Sequence, residues 1–421
     1  MKVLVIGSGG REHALVESLR RSARVSKIFC APGNAGIAEF AECVEIQAHA
    51  ITDLLHFAQT QKIDLTIVGP EQPLVEGIVD QFEKAALPIF GPRKNAAILE
   101  ASKAFTKAFC ERHKIPAAKS QSFTDFSKAL QYAKNQHFPL VVKADGLAAG
   151  KGVVICQHFS EAETALKQIM QDKIFGEAGQ EVVLEEFLSG VELSYMAITD
   201  GKHLVPLASA QDHKKIGEGE TGPNTGGMGT LSPSPLLTPV LEEKILQQIL
   251  LPTVRGMAQE AREFVGVLFA GLMIVNNEPY LLEYNTRFGD PETQVVLSRL
   301  QSDLLELFEA ALSGKLDKIS LSWDARSAVC VVMAAGGYPT EYEKNKVIHG
   351  LERSFDDCWV YHAGTKRAGK ELLTNGGRVL GVTALGKNLT EARKLAYAQV
   401  EQISWDGVYY RRDIAELTPR K

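Results

Sequence analysis

The sequence predicts a multidomain protein of mixed α/β and α+β class. An N-terminal domain on a parallel sheet leads into a central domain with a glycine-rich lid, then a small C-terminal α+β domain. Three observations carry this reading. At 421 residues the chain is too long for one domain of about 150 residues. Its opening stretch alternates short apolar runs with amphipathic helical patterns, which implies a mostly parallel sheet covered on both faces. The texture then changes twice, so the expected limits are 1–102, 103–318 with a lid subdomain at about 118–190, and 325–421.

Taken in order, KVLVIG reads as a buried strand, GSGG as a turn, and residues 12–21 as a helix with Leu15, Val16 and Leu19 on one face. VSKIFCAPGN, DLTIVGPEQ and LPIFGPR repeat the strand-then-loop pattern, and their loops carry the glycines and polar residues. Such sheets place ligands at those loops. Residues 103–114 read as a helix closed by Pro116. FPLVVKADGLAAGKGVVIC reads as two strands flanking a glycine-rich loop, followed by a helix at 160–171 and the strand EVVLEEFL. HKKIGEGETGPNTGGMG, residues 213–229, reads as a loop too long and glycine-rich for packing alone. Strands at 268–275 and 279–284 and a helix through Glu309 complete the central part. AVCVVMAAGGYP, GGRVLGVTALG and a helix at 391–403 make the last domain.

Composition narrows the function. Hydrophobic residues are 45% and charged residues 23% of the chain, an ordinary globular balance that excludes disorder and a disulfide-stapled miniature. Lys plus Arg is 46 and Asp plus Glu is 51, a net charge of −5. That argues against nucleic acid or a membrane surface as the main partner. Cys30, Cys43, Cys110, Cys156, Cys330 and Cys358 are scattered, so neither a zinc knuckle nor a CxxC redox pair forms locally. The apolar run 3–6 is far short of a signal-peptide core, and no run approaches the ~18 residues of a membrane span. A cytoplasmic protein is expected.

The glycine loops fail the obvious fingerprints. GSGGRE at 7–12 follows a strand and opens a helix, but Glu12 stands where a dinucleotide fingerprint has its third glycine. The second strand ends in APGN without an acidic residue, so NAD is not expected. The turn is either a tight connection or an anion site on free helix amides. GLAAGKG, with Gly146, Gly150 and Gly152, has three residues between its first two glycines, where a Walker A loop has four. Between two strands it reads as a hairpin able to close over a triphosphate. Lys143 ends the strand PLVVK and reaches either phosphates or solvent.

Two further strings carry chemistry. EEFLSGVE ends a strand and offers a backbone edge suited to adenine and a carboxylate suited to ribose, or simply an exposed acidic edge. LLEYNTRFGDPE puts Glu283 and Asn285 on one strand face. Their carboxylate and carboxamide oxygens are hard ligands suited to magnesium shared with nucleotide phosphates. Arg287 continues the alternation, where it would neutralise a transferring phosphoryl group.

These pieces in this order resemble the ATP-grasp ligases. GSGGREHA, VGPEQPL, VVKADGLAAGKGV, QDHKKIGEGETGPNTGGMG, EYNTRFGDPETQ and DGVYYRRDI together resemble the phosphoribosylamine–glycine ligase (glycinamide ribonucleotide synthetase) family of purine biosynthesis. The resemblance runs from Met1 to about Ile414 and implies a central ATP-grasp domain. It implies Lys103 and Lys143 on ATP phosphates, Gly146, Gly150 and Gly152 in the lid, Glu185 and the Leu188 backbone at adenine, and Glu192 at the ribose. Glu283 and Asn285 would hold Mg2+ or Mn2+, with Arg287 beside the reacting phosphoryl and glycine. Asp212, His213 and Lys214, with Gly226, Gly227 and Asp290, would serve the substrates, and Asp212 or His213 would take the amine's proton. Gly9, Gly10 and Arg11 are expected to face phosphoribosylamine, since a single 5′-phosphate needs only helix N-terminal amides and a cation. The chain departs from the pattern twice. FAGLMIV lacks the third acidic metal ligand of many ATP-grasp proteins, and KKIGEGET stands where the family more often has an arginine and aspartates.

The implied reaction transfers the γ-phosphoryl of ATP to glycine, and the amine of 5-phosphoribosylamine then displaces phosphate. The implied partners are ATP, glycine and phosphoribosylamine. A monomer is expected, in transient contact with the enzyme supplying phosphoribosylamine. Competing readings are a formate- or carbon-dioxide-using ATP-grasp enzyme, an NAD-dependent oxidoreductase and a non-catalytic nucleotide sensor.

Overall fold

The computed structural model describes residues 1–147, 152–353 and 355–416. The N-terminal sheet has five strands in the order Glu42–Cys43, Lys27–Pro32, Lys2–Gly7, Leu65–Val68, Ile89–Phe90, and every pairing is parallel. Val3 and Val5 join Leu15, Val16 and Leu19 in one core, while Leu4 and Ile6 enter another on the opposite face. Burial on both faces explains the unbroken apolar run. Strand order reverses beside Lys2–Gly7, so the loops after it and after Leu65–Val68 flank one crevice.

Two antiparallel four-stranded sheets follow. One orders Ser120–Phe123, Val182–Glu186, Leu140–Ala144, Val153–Cys156; the other orders Leu204–Pro206, Val191–Asp200, Val265–Val275, Glu278–Asn285. The helix Lys103–His113 packs near both. Ser102 caps it by accepting the Phe105 N–H at 2.9 Å, and Lys114 stops it in the left-handed region at φ 56°. The helix expected at 160–171 is Phe159–Leu166 continued by the π turn Lys167–Gln171.

Residues 213–229 differ from expectation. Lys215–Gly217 pairs with Thr221–Asn224 as an antiparallel ribbon. At its base, Gln211–Asp212 and Gly229–Ser232 join Ser327–Ala334, Arg378–Gly386 and Cys358–His362 in one five-stranded sheet. Backbone groups need partners even where side chains are small, and here the base pairs with strands remote in sequence. The helix Leu389–Val400 covers this sheet through Ala392, Ala396 and Val400. Among the described residues no helix is long and apolar enough to cross a membrane.

Candidate active site

A cavity of about 540 Å³ is lined by both four-stranded sheets, the ribbon and the N-terminal crevice, a size suited to a small-molecule ligand. Lys143 Nζ lies 2.9 Å from Glu185 Oε1 and Lys107 Nζ 3.0 Å from Glu185 Oε2, all three side chains being buried. Burial lowers the Lys107 pKa, and Glu185 opposes that shift. Lys143 therefore faces the cavity. The Glu185 carboxylate meets two ammonium groups, and Glu185 lines the cavity together with Leu188, the other residue expected at adenine. Lys103 Nζ donates to the Gly146 carbonyl at 2.8 Å, and burial lowers its pKa. Asp145 accepts from Ser102 Oγ at 3.1 Å and from the Ala104 N–H at 3.0 Å, tying the helix start to the lid base. Gly146, Gly152 and Leu188 line the cavity; Gly150 lies outside the described residues. Leu147, Ile155 and Phe187 are large apolar side chains left exposed, and all three line it too.

Glu283 and Asn285 lie opposite Gly271 and Phe269 in the antiparallel register and share one face. Lys214 Nζ sits 2.8 Å from Glu192 and 3.8 Å from Glu283. Burial alone would raise the Glu283 pKa; Lys214, Lys143 and Lys103 outweigh it and hold the group below its usual value. Burial opposes a charged Lys214, but Glu192 and Glu283 raise its pKa. No group of three or more His, Cys, Asp or Glu suited to a metal occurs among the described residues. One carboxylate and one carboxamide fit magnesium, which takes its remaining ligands from phosphates and water. Arg287, just beyond the strand, lies 3.1 Å from Glu71 and 2.9 Å from Glu100. Glu100 also accepts from the Thr286 N–H at 2.7 Å and Oγ1 at 3.0 Å. Burial opposes ionisation of Glu71, yet Arg287 and then Arg11 bring its pKa down to about 2.

On the ribbon side, Asp212, Lys214 and Gly226 line the cavity, whereas His213 and Gly227 do not. Alternation along an extended chain sends His213 the other way. Its Nδ1 is 3.2 Å from the Gly229 carbonyl, burial lowers its pKa, and its charged neighbours are Glu220, Arg411 and Asp413. His213 thus lies outside the cavity lining, while Asp212, the other residue expected to take the proton, is part of it. Gly227, at φ 113°, makes room: a Cβ there would stand 2.7 Å from Asp212 Oδ1. Among the described residues nothing hydrogen-bonds the buried Asp212 Oδ1. Burial and then Glu292 push the Asp212 pKa well up, and Glu292 accepts from Ser194 Oγ at 3.0 Å.

Arg11 and Asp290 line the cavity, but Gly9 and Gly10 do not. The Gly9 N–H donates to Glu12 Oε2 at 2.5 Å and the Arg11 N–H to Asp290 Oδ2 at 3.3 Å. Carboxylates of the protein itself thus sit on the Gly9 and Arg11 amides, two of those expected for a phosphate. A Cβ at Gly7 would lie 2.5 Å from Glu12 Cδ. Glu12 replaces the third glycine because it caps its own helix.

Sequence reasoning missed Lys107, Glu71, Glu100, Glu292 and Arg378. Lys107 lies one helical turn beyond Lys103, and Glu71 and Glu292 stand inside VGPEQPL and GDPETQ, so these left a signal. Arg378 left none. Its Nη1 donates to the carbonyls of Gly226 at 2.6 Å and Asp290 at 2.7 Å from another domain.

Family models described as phosphoribosylglycinamide synthetase match in three parts: the N domain at residues 1–100, the ATP-grasp (A) domain at 101–293 and the C domain at 328–417. A phosphoribosylamine–glycine ligase of Vibrio vulnificus is 51% identical over 98% of this chain and 97% of its own length. The crystal structure of phosphoribosylamine–glycine ligase from Thermotoga maritima superposes with a TM-score of 0.84 at 32% identity, covering 98% of this chain and 100% of that one. A biotin carboxylase of Campylobacter jejuni superposes at 0.76 with 14% identity, covering 98% and 94%, a likeness of fold alone. Matched by these three models and by a relative over 98% of its length, the chain belongs to the phosphoribosylamine–glycine ligase (phosphoribosylglycinamide synthetase) family.

Proposed function

We propose that this chain joins glycine to 5-phosphoribosylamine at the expense of ATP, giving glycinamide ribonucleotide, ADP and phosphate. One observation carries the reading: a single cavity gathers Lys103, Lys143 and Arg287 with Glu283 and Asn285, opposite a ribbon that presents Asp212 and Lys214. A carboxylate gives up hydroxide poorly, so glycine is first phosphorylated to glycyl phosphate, whose phosphate leaves readily when the amine attacks. Lys103 and Lys143 neutralise nucleotide phosphates. Leu147, Ile155 and Phe187 wall the base, the 185–188 backbone meets its edge, and Glu192 takes the ribose. Glu283 and Asn285 would hold magnesium or manganese, which neutralises phosphate charge when bound. Arg287, oriented by Glu71 and Glu100, faces the transferring phosphoryl and glycine carboxylate. Asp212 holds the amine and takes up its proton, and Arg11, Gly226 and Asp290 border phosphoribosylamine. The paired strands Leu140–Ala144 and Val153–Cys156, closing over the site, keep water from glycyl phosphate. The test is coupled ADP release with glycine and freshly generated phosphoribosylamine, each omitted in turn. Release that needs both supports the reading; release that needs bicarbonate or formate and ignores glycine overturns it.

A further inference from the structure

The string DGVYYRRDI at residues 406–414 contributes nothing to the cavity lining, yet it holds the largest fully buried side chain, Arg411, which is 1% exposed. Its Nε and Nη2 donate to Asp413 at 2.8 and 2.7 Å, Nη2 also to Glu220 at 2.8 Å, and Nη1 to the Lys215 carbonyl at 2.9 Å. Two of those acceptors, Glu220 and Lys215, lie in the ribbon. The grip extends further: Asp413 accepts the Gly219 N–H at 2.8 Å, Glu218 accepts the Arg412 N–H at 3.1 Å, and Tyr409 OH donates to the Ile216 carbonyl at 2.8 Å.

The ribbon needs such a grip. Two short strands alone are marginal in water, residues 218–223 are exposed, and Gly217, Gly219 and Gly222 add conformational freedom. Lys215, whose carbonyl Arg411 holds, pairs with Asn224, and the Lys214 carbonyl next to it accepts the Thr225 N–H at 2.8 Å. Lys214, Asn224 and Thr225 all line the cavity. We propose that Arg411 is a positioning residue for the acceptor end, clamping the ribbon from the C-terminal domain so that Lys214, Asn224 and Thr225 face the substrates. The planar guanidinium makes four contacts, two of them bidentate to Asp413, and an ammonium with three donors cannot reproduce that fork, so lysine is an incomplete substitute.

This inference rests on the proposed function for its kinetic half only. Arg411→Met, Arg411→Lys and the milder surface variant Tyr409→Phe are compared with the parent as full chains. The expected result for Arg411→Met is amide exchange over 215–225 at least about tenfold faster, with exchange in the Val265–Val275 strand unchanged. KM for glycine and phosphoribosylamine rises about tenfold, a larger change than in the dissociation constant of a non-hydrolysable ATP analogue, which Lys214 reaches only through Glu192 and Glu283. Arg411→Lys falls between, and Tyr409→Phe shifts exchange in the same segment by about two- to threefold. Unchanged ribbon exchange in both Arg411→Met and Tyr409→Phe overturns the clamp. Faster ribbon exchange with unaltered KM values, or an equal loss of turnover for all substrates at constant KM, overturns the positioning role. If Arg411→Met does not fold, Arg411→Lys and Tyr409→Phe decide the question by the same measures. A parent without glycine-dependent ADP release would defeat the proposed function, whereas the exchange result would still judge the clamp.

Discussion

The two ends of the cavity handle charge in opposite ways. At the end proposed for the nucleotide, Lys107 and Lys143 close on the buried Glu185, and Arg287 on Glu71 and Glu100. At the acceptor end, Asp212 Oδ1 is buried without a hydrogen bond among the described residues, next to a Glu292 whose pKa burial raises. Paired groups hold their geometry before a ligand arrives, which suits a polyphosphate that must be placed the same way every time. An unpaired buried carboxyl is costly unless something completes it, and an amine would do so. Lys214 touches both arrangements, bridging Glu192 and Glu283 from the ribbon. The contrast is that between a preorganised clamp and an open acceptor.

Substitutions at each end test that contrast. Glu283→Gln keeps the shape but removes the charge facing the metal position, so turnover should fall at least ~10²-fold with the fold intact. Unchanged turnover at saturating magnesium would remove Glu283 from the nucleotide end. Glu192→Ala should weaken ATP use by about 1.5–3 kcal/mol, roughly 10- to 100-fold in KM, the scale of a hydrogen bond to a charged group. It should also erase discrimination against 2′- and 3′-deoxy analogues; a variant that still discriminates against both as the parent does shows Glu192 to be only the partner of Lys214.

Asp212→Asn asks whether the acceptor end is independent. It should lower kcat/KM for phosphoribosylamine about tenfold, leave ATP affinity unchanged and leave thermal stability equal or higher, because a carboxyl whose buried Oδ1 has no hydrogen bond among the described residues is removed. A parallel loss of ATP affinity would merge the two ends into one network. The smallest effect is a baseline shared by both. The His362 N–H donates to His13 Nδ1 at 2.8 Å between the N- and C-terminal domains, with Arg20 and Arg367 as charged neighbours. Burial brings the pKa of His13 down to about 3 and that of His362 down to about 4. Below pH 6.5 the unfolded chain binds protons that the native pair refuses, so stability present above that pH is lost as pH falls toward 4. About 1 kcal/mol per histidine should be gone at pH 5.5, read as a lower urea midpoint, and His13→Gln should reduce that slope. A midpoint flat between pH 7 and 5.5 would contradict it.

How far the sequence reaches is clearest residue by residue. Glu283 and Asn285 were legible because strand alternation is local, and the helix after Ser102 because its cap is three residues from its partner. His213 came with Asp212 from the resemblance, and which of the two lines the cavity shows only once the ribbon's base pairs with Ser327–Ala334. Gly9 and Gly10 lie outside the cavity lining; the Gly9 amide meets Glu12, close in sequence, while the Arg11 amide meets Asp290, which lies far along the chain.

Local rules thus determined the order of strands and helices, the broken dinucleotide fingerprint and the family strings that identify the ligase. Tertiary structure alone decided that Glu185 answers two lysines, that Arg378 holds Gly226 and Arg411 the ribbon from another domain, and that Asp212 rather than His213 lines the cavity. Periodicity and capping act over a few neighbouring residues and are written in sequence. Ion pairs between distant segments depend on how the sheets meet, and that follows from burying the whole chain at once.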